Sequence, residues 1–410
     1  MRVLMTTAPM HGHFFPLVPL AWALQSAGHE VLVAAPGDFS AAVTGTGLCA
    51  HATVDEADFG DFMFRDRAGR PVERPAEMDG RLAVSGRAWG RLAARVLPGM
   101  LDAVRGWRPD LVISEPCEHA GPVAAARHGV PWVEHGWGMA LHPILRRAGG
   151  EELAPELDEL GLPALPDPSA VIDVCPPSMQ RPGAAAGLAM RYTPYNGSAP
   201  LPGWLWDRPA VPRVCLTMGS LLPRFGGEPV ADLLSRLVRA LPALGIELVV
   251  AMAPDRAKLL PAASPAVRLA GWLPISRVLP HCDLVIHHGG GGSTLTSLAA
   301  SVPQLVLPRP AVDMIDNAER VAAAGAGRAL PPEVTGGDGG MDAVLAACAE
   351  LLAEPRYRRG AAALAAEIAA RPAPARIVPR LRRLAAAGPV LESNSDNAAD
   401  AHSGNNGIHI

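Results

Sequence analysis

The feature that most constrains this chain is a rhythm carried by both of its halves: a short apolar run, a Gly- or Pro-containing loop, then an amphipathic stretch. In the first half the strand candidates are Val3–Thr7, Glu30–Ala35, Leu48–Val54, Leu111–Ser114 and Trp132–Glu134, with helical patterns at Leu17–Ala27, Arg81–Leu97 and Gly121–His128. In the second they are Val214–Thr217, Glu247–Ala251, Val267–Leu269, Leu284–His287 and Gln304–Val306, with helices at Val230–Leu241, Thr294–Ala300, Ala318–Ala324 and Met341–Ala353. Uniformly apolar strands alternating with helices predict parallel sheets covered on both faces. The stretch Tyr192–Pro212 holds Pro194, Pro200, Pro202, Pro209 and Pro212. Proline removes a backbone donor and breaks both helix and central strand, so this stretch reads as the linker between two doubly wound α/β halves. Ligands of such sheets sit beyond the carboxyl ends of the strands, which predicts a site in a cleft between the halves.

Composition narrows the function. A chain of 410 residues fits two domains, and 49% hydrophobic with 19% charged residues is globular. A formal charge of -4 gives no reason to expect nucleic acid or an anionic membrane as partner. No apolar run reaches the ~18 residues of a bilayer span, and the first residues make no signal segment, so the expected location is the cytoplasm. The six cysteines are dispersed without a C-x-x-C pair, as expected of buried thiols rather than a zinc site or disulfide framework. Asparagine occurs twice before residue 391 and four times in Leu391–Ile410, a polar, aperiodic tail that reads as an appendage to the fold.

The chemistry-bearing segments lie at strand ends. Leu284–Thr294 runs strand, glycine turn, helix, with His287-His288-Gly289-Gly290-Gly291-Gly292-Ser293-Thr294 at its centre. Glycines let backbone N–H groups approach an anion, a helix start supplies unpaired donors, and Ser293 and Thr294 are placed to cap that helix or to bond phosphate oxygens. It matches neither a P-loop nor a dinucleotide fingerprint, and Lys258, the one lysine, is remote in sequence. Thr217-Met218-Gly219-Ser220, Gly271-Trp272-Leu273-Pro274 and the group Asp313, Asp316, Asn317 each follow a strand of the same half, so the loops should converge on one edge. In the first half His11-Gly12-His13-Phe14-Phe15-Pro16 follows the first strand and Glu115 the fourth. A hydroxyl nucleophile needs a base, and neutral imidazole suits that task near pH 7. His11 is the local rival to His13. A His-x-His metal site lacks further ligands nearby in sequence, so no metal is expected.

In order, Gly271-Trp272-Leu273-Pro274, His287-His288-Gly289-Gly290, Ser293-Thr294-Leu295, Pro303-Gln304-Leu305-Val306 and Asp316-Asn317-Ala318 resemble the donor-site signature of GT-B, nucleotide-sugar-dependent glycosyltransferases of antibiotic (polyketide and macrolide-type) biosynthesis. Arg191–Gly197 and Val214–Ser220 resemble that family's linker and domain start. The resemblance covers residues 1 to about 388. It implies two Rossmann-like domains facing each other across a cleft: 1–196 for the acceptor, a linker 197–212, 213–373 for the nucleotide sugar, and a helix within 374–390 returning to the first domain. It implies further that Trp272 and Leu273 hold base and ribose, that Ser220, His288, Gly289, Gly290, Gly292, Ser293 and Thr294 hold the diphosphate, and that Asp313, Asp316 and Asn317 face the sugar. Many relatives carry Asp-Gln where this chain has Asp313-Met314, which favours a deoxysugar.

His13 is then the base, with Glu115 (usually Asp in the family) as its partner. Phe62, Trp89, Trp137 and His142 are the acceptor candidates, with Phe64 and Met139 nearby, while Glu118, His119, Arg146 and Arg147 read as solvated or capping positions. The expected reaction is inverting transfer from a dTDP- or UDP-sugar to a hydroxyl of a polyketide-type product, with no separate cofactor. A homodimer and an auxiliary activator protein stay open as partners. The rival readings are a C-glycosyltransferase on an aromatic polyketide, a sugar-nucleotide epimerase and a non-catalytic partner of another transferase.

Overall fold

The structure, a computed structural model, describes residues 1–388 apart from 74, 220–226, 253–265, 310–311 and 337–338. Ser220 and the tail Leu391–Ile410 therefore lie outside the described residues. The first half is a seven-stranded sheet: β1 (Arg2–Thr6), β2 (Glu30–Ala35), β3 (Cys49–Ala52), β4 (Leu111–Ser114), β5 (Trp132–His135), β6 (Ala170–Asp173) and β7 (Leu188–Ala189), in the order β3-β2-β1-β4-β5-β6-β7. The second is a six-stranded sheet: β8 (Arg213–Thr217), β9 (Glu247–Ala251), β10 (Val267–Gly271), β11 (Leu284–His287), β12 (Gln304–Val306) and β13 (Gly327–Ala329), in the order β10-β9-β8-β11-β12-β13. Every pairing is parallel. All ten strands read from sequence are present. The three that were not, β6, β7 and β13, include an edge strand of only two residues and a Gly-Arg-Ala run that is not apolar.

In the first half the helices are α1 (His11–Phe14), α2 (Val18–Ser26), α3 (Ser40–Thr44), α4 (Phe59–Phe64), α5 (Met78–Trp107), α6 (Ala120–Arg127), α7 (Pro143–Glu152) and α8 (Ala154–Leu160). In the second they are α9 (Gly227–Ala240), α10 (Ile275–Val278), α11 (Gly291–Ala299), α12 (Val312–Ala323), α13 (Pro332–Gly336), α14 (Gly340–Ala353), α15 (Pro355–Ala370) and α16 (Pro374–Ala387). The long α5 runs ten residues beyond the expected end at Leu97, straight through Pro98. Leu97, Met100 and Val104 continue its buried stripe at helical spacing, and that packing outweighs one lost backbone bond.

The central strands of both sheets are buried on both faces, as their apolar residues require, while the edge strand β3 is partly exposed. Val3 and Met5 join one core cluster and Leu4 the opposite one, while Val214 and Leu216 are separated in the same way from Cys215. Each such side chain, fully removed from water, contributes about 1.5–3 kcal/mol. One cluster runs continuously from β1 and α2 through Leu295 and Leu298 of α11 to Leu364, Ile368, Ile377 and Leu381 of α15 and α16. Helix α16 lies against α2, and Arg371 just before it donates to the Asp173 carbonyl at 2.6 Å and pairs with its carboxylate at 2.8 Å. No helix among the described residues is long and apolar enough to cross a membrane.

Each sheet reverses its strand order at one place, between β1 and β4 and between β8 and β11. Connections leave those neighbouring strands in opposite directions and open a crevice at the carboxyl ends. The segments after β1 and β4 carry His13 and Glu115; those after β8 and β11 carry Gly219 and the glycine turn.

Candidate active site

His13 stands on α1 one residue ahead of Phe14, whose buried ring anchors that short helix to the core. Its Nδ1 lies 3.0 Å from Oε1 of Glu115, at the end of β4. The carboxylate sits off the ring's N–H axis, so the pair is a close electrostatic contact rather than an aligned hydrogen bond. Glu115 is fully buried and well satisfied: it accepts from the backbone N–H groups of Ala8 (3.3 Å) and Cys117 (2.8 Å) and from the Trp137 indole (3.1 Å). Burial pushes its carboxyl up, but the adjacent His13 and these donors outweigh burial and hold it below the ordinary carboxylate value. The rings of Trp89 and Trp137 each lie 5.0 Å from the His13 imidazole, enclosing it in indole faces. Cys117 completes a group whose donor atoms all lie within 4.8 Å, close enough to surround an ion. Burial raises its thiol well above the ordinary value.

His11 goes elsewhere. It packs against Phe15, Phe39 and Trp272 at 4.9, 5.4 and 5.7 Å, and burial lowers its pKa. It holds the first loop against the second domain and does not share the carboxylate.

Across the crevice the glycine turn is more sharply built than its sequence implied. Helix α11 begins at Gly291 with Gly290 as its N-cap and no side-chain cap. Ser293 and Thr294 thus fall inside the first turn, so the capping role read from sequence is corrected: four glycines in a row let the helix start three residues earlier. Thr294 is fully buried with an unpartnered hydroxyl. The first N–H groups of α11 are left open to an anion, with the positive end of the helix behind them. Gly289 has φ +90°, and an added Cβ would meet the Met314 carbonyl at 2.6 Å, so only glycine fits there.

His288 is wedged between Gly219 and Gly290, where a Cβ would lie 2.6 and 2.4 Å from its ring. Burial, with His287 nearby, lowers its pKa to about 3, so it is a neutral imidazole whose buried Nδ1 finds no partner among the described residues. His287 is fixed by contrast: its Nδ1 accepts from Gly289 N–H at 3.0 Å and its Nε2 donates to Gln304 at 2.7 Å, which defines the tautomer. The Gly292 carbonyl accepts from Tyr192 at 3.2 Å, tying the turn to the linker. Trp272 packs closely on Gly197 of that linker, where an added Cβ would lie 3.1 Å from its ring, while the Leu273 side chain is buried in the core.

Asp313, Asp316 and Asn317 sit on the first turns of α12 rather than in a loop, because that helix begins at Val312, well ahead of the expected Ala318. Asp313 feels the charge of His13, and burial raises its carboxyl. Asn317 donates to the Gly289 carbonyl at 2.8 Å, bracing the glycine turn. Asp316 pairs with Arg181 from the other domain, a residue the sequence did not single out.

These groups open on a cavity of about 470 Å³ lined from both domains, including His13, Trp89, Trp137, His142, Asp313 and Asn317. Phe64 and Met139 line it too. Phe62 does not: it packs against the α5 cluster, and its carbonyl accepts from Arg91, so that acceptor assignment is corrected. In the short α4 the cavity takes Phe59, Met63 and Phe64 instead, Phe59 stacking on Trp89 at 4.0 Å. Glu118 and His119 are buried, not solvated. Glu118 accepts from the backbone of Ala120 and Gly121 and from Thr6, capping α6, and burial lifts it to about 7.

Two parallel, doubly wound sheets meeting at their switch points, with an imidazole–carboxylate pair on one side and an anion-ready helix start on the other, define a GT-B glycosyltransferase. The family description "Erythromycin biosynthesis protein CIII-like" matches with its N-terminal domain over residues 22–219 and with its C-terminal domain over 235–384. The chain belongs to this family of antibiotic-biosynthesis glycosyltransferases. It is 44% identical over 378 residues to the L-demethylnoviosyl transferase of Streptomyces niveus, covering 92% of this chain and 96% of that one. The structure of the Streptomyces sp. SF2575 glycosyltransferase SsfS6 with thymidine diphosphate is similar at TM-score 0.82 and 41% identity, over 93% of this chain and 99% of that one. Spinosyn rhamnosyltransferase SpnG with its spinosyn aglycone is similar at TM-score 0.81 and 33% identity, over 93% and 100%.

Proposed function

We propose that this enzyme moves a deoxysugar from a dTDP-sugar, or less readily a UDP-sugar, to a hydroxyl of a polyketide-type product with inversion at the anomeric carbon. The observation that carries the reading is the pairing of His13 Nδ1 with Glu115 at the wall of a cavity whose far side is the α11 glycine turn. The Glu115 carboxylate favours the tautomer with the proton on Nδ1, leaving Nε2 as the lone pair that takes the acceptor proton. As the imidazolium forms, Glu115 and the two indole faces stabilise its charge. The acceptor oxygen attacks from that side, and the diphosphate leaves toward the open N–H groups of α11 and the unpartnered His288 Nδ1, dipoles fixed before the reaction starts. A single displacement inverts the centre.

The nucleotide assignment is supported by relatives complexed with thymidine diphosphate, and the aglycone class by SpnG with a spinosyn aglycone. The apolar, aromatic lining of the cavity suits a polyketide. The test combines thermal shift with nucleoside diphosphates and turnover by His13→Ala. Thymidine diphosphate should stabilise wild type and variant alike, while transfer by the variant falls by about 10³-fold. Undiminished transfer removes His13 from its role, and an acid-resistant sugar linkage in the product would turn the reading to C-glycosylation.

A further inference from the structure

The cleft contains a contact that the reaction above does not use. Arg181, in the loop that follows β6, reaches across and pairs with Asp316 on α12, 135 residues later in the chain. It is no loose surface arginine. Its Nε donates to the Ala140 carbonyl at 3.2 Å and its backbone N–H to Gln180 Oε1 at 2.9 Å. The same Gln180 oxygen accepts from Ala140 N–H at 2.9 Å, and the Gln180 amide donates to Asp173 at 3.1 Å, which is itself paired with Arg371. A guanidinium braced in this way, with three-quarters of its side chain covered, is held in position.

On the reading of the previous subsection, α12 faces the donor sugar. A carboxylate on such a wall can accept from sugar hydroxyls or pair with a sugar ammonium. Here Arg181 already occupies Asp316, and Arg309 adds a second positive charge to the same cavity. Burial pushes the other carboxylate of this wall, Asp313, toward its uncharged form. At this wall a sugar cation would therefore meet two guanidiniums and a carboxylate already paired with one of them, Glu73 before α5 being a further carboxylate of the cavity, while a neutral sugar short of hydroxyls forfeits little, because Asp316 is already held by Arg181.

We propose that Arg181 is a specificity-determining residue: by holding Asp316 from across the cleft, it makes the sugar end of the site select a neutral deoxyhexose over an amino-deoxyhexose. The inference rests on the donor-site reading, and it concerns ground-state binding, so it is tested without turnover.

The experiment measures dissociation constants of a dTDP-linked neutral deoxyhexose and a dTDP-linked amino-deoxyhexose, with dTDP alone as reference, for wild type, Arg181→Gln and Arg181→Lys. Wild type should bind the neutral donor at least about tenfold more tightly, a modest outcome for like charges meeting a few ångström apart at a half-covered surface. Arg181→Gln should lose most of that ratio with dTDP binding unchanged, and Arg181→Lys, which keeps the charge, should retain it in part. Equal binding of both donors by wild type, or an unaltered ratio in Arg181→Gln, overturns the proposal while leaving the donor site standing. Failure of wild type to bind dTDP at all overturns both.

Discussion

Substituting Gly289 by alanine tests the donor turn at its tightest point. The residue has φ +90°, where an L side chain costs about 1–2 kcal/mol in backbone strain alone. The new Cβ would also lie 2.6 Å from the Met314 carbonyl and 3.1 Å from Val306 Cγ1. The first is main chain at the start of α12 and the second a buried strand residue, so neither yields easily. Relief requires several tenths of an ångström of movement between β11 and α12, through the same place where Asn317 bonds the Gly289 carbonyl. Strain and overpacking together come to about 2–4 kcal/mol. For a domain of this size that lowers the melting temperature by about 5–15 °C. Thermal unfolding with and without thymidine diphosphate is the assay, and Gly203→Ala is the control, since nothing lies within 4 Å of its added carbon. The variant should melt early and gain less from the nucleotide, because the displaced turn begins the anion-binding helix. A melting temperature within about 1 °C of wild type would refute the claim that this turn requires glycine.

Three further expectations follow from the same geometry. Glu115→Gln removes the charge facing His13 while keeping the hydrogen-bonding shape; kcat should fall about 10²-fold with dTDP affinity intact, and a kcat within threefold of wild type would show that the carboxylate is dispensable. Gly106→Ala, in α5 with open space around it, should stabilise the protein by about 0.5–1 kcal/mol through helix propensity, read as a higher urea midpoint. Burial lowers His119, His135 and His287 to about 4 and His288 to about 3, against an ordinary 6.5, so their stabilising contribution is complete above pH 6.5 and is lost as pH falls toward 4. The three at about 4 are each worth about 3 kcal/mol when fully lost and His288 about 5; Glu118 opposes them, its contribution present below pH 4.5 and lost as pH rises through about 7, and burial raises Glu134 and Asp313 in the same direction, but the four histidines outweigh these groups. Melting temperature should therefore fall steeply between pH 6.5 and 4.5, and a flat profile there contradicts this account.

Strand and helix positions were legible because burial imposes a period on each element separately. Leu284–Ile286 is apolar throughout since both faces of β11 are covered, and that holds whatever its neighbours are. Boundaries were less legible. Ser293 and Thr294 look like caps in sequence, yet no side chain caps α11, and Pro98 looks like a stop, yet α5 passes through it. In both places a preference worth about 1 kcal/mol or a few met packing worth more. Phe62 shows the same limit at the scale of one residue: four apolar candidates lie in the six residues of α4, and which of them face the cavity depends on where α5 lies.

The sequence by itself determined that there are two parallel α/β halves, that a proline-rich stretch joins them, and that the chemistry-bearing residues stand at strand ends, since each of these follows from a local pattern. Only the tertiary structure decided that His13 meets Glu115 rather than His11 doing so, that the Trp137 indole holds that carboxylate, and that Arg181 reaches Asp316. Those pairings join residues 22 to 135 positions apart, and they are fixed by strand order and by the shared core that seats one sheet against the other. No local period carries that information, because a side chain's partner across a cleft is set by the packing of everything between them.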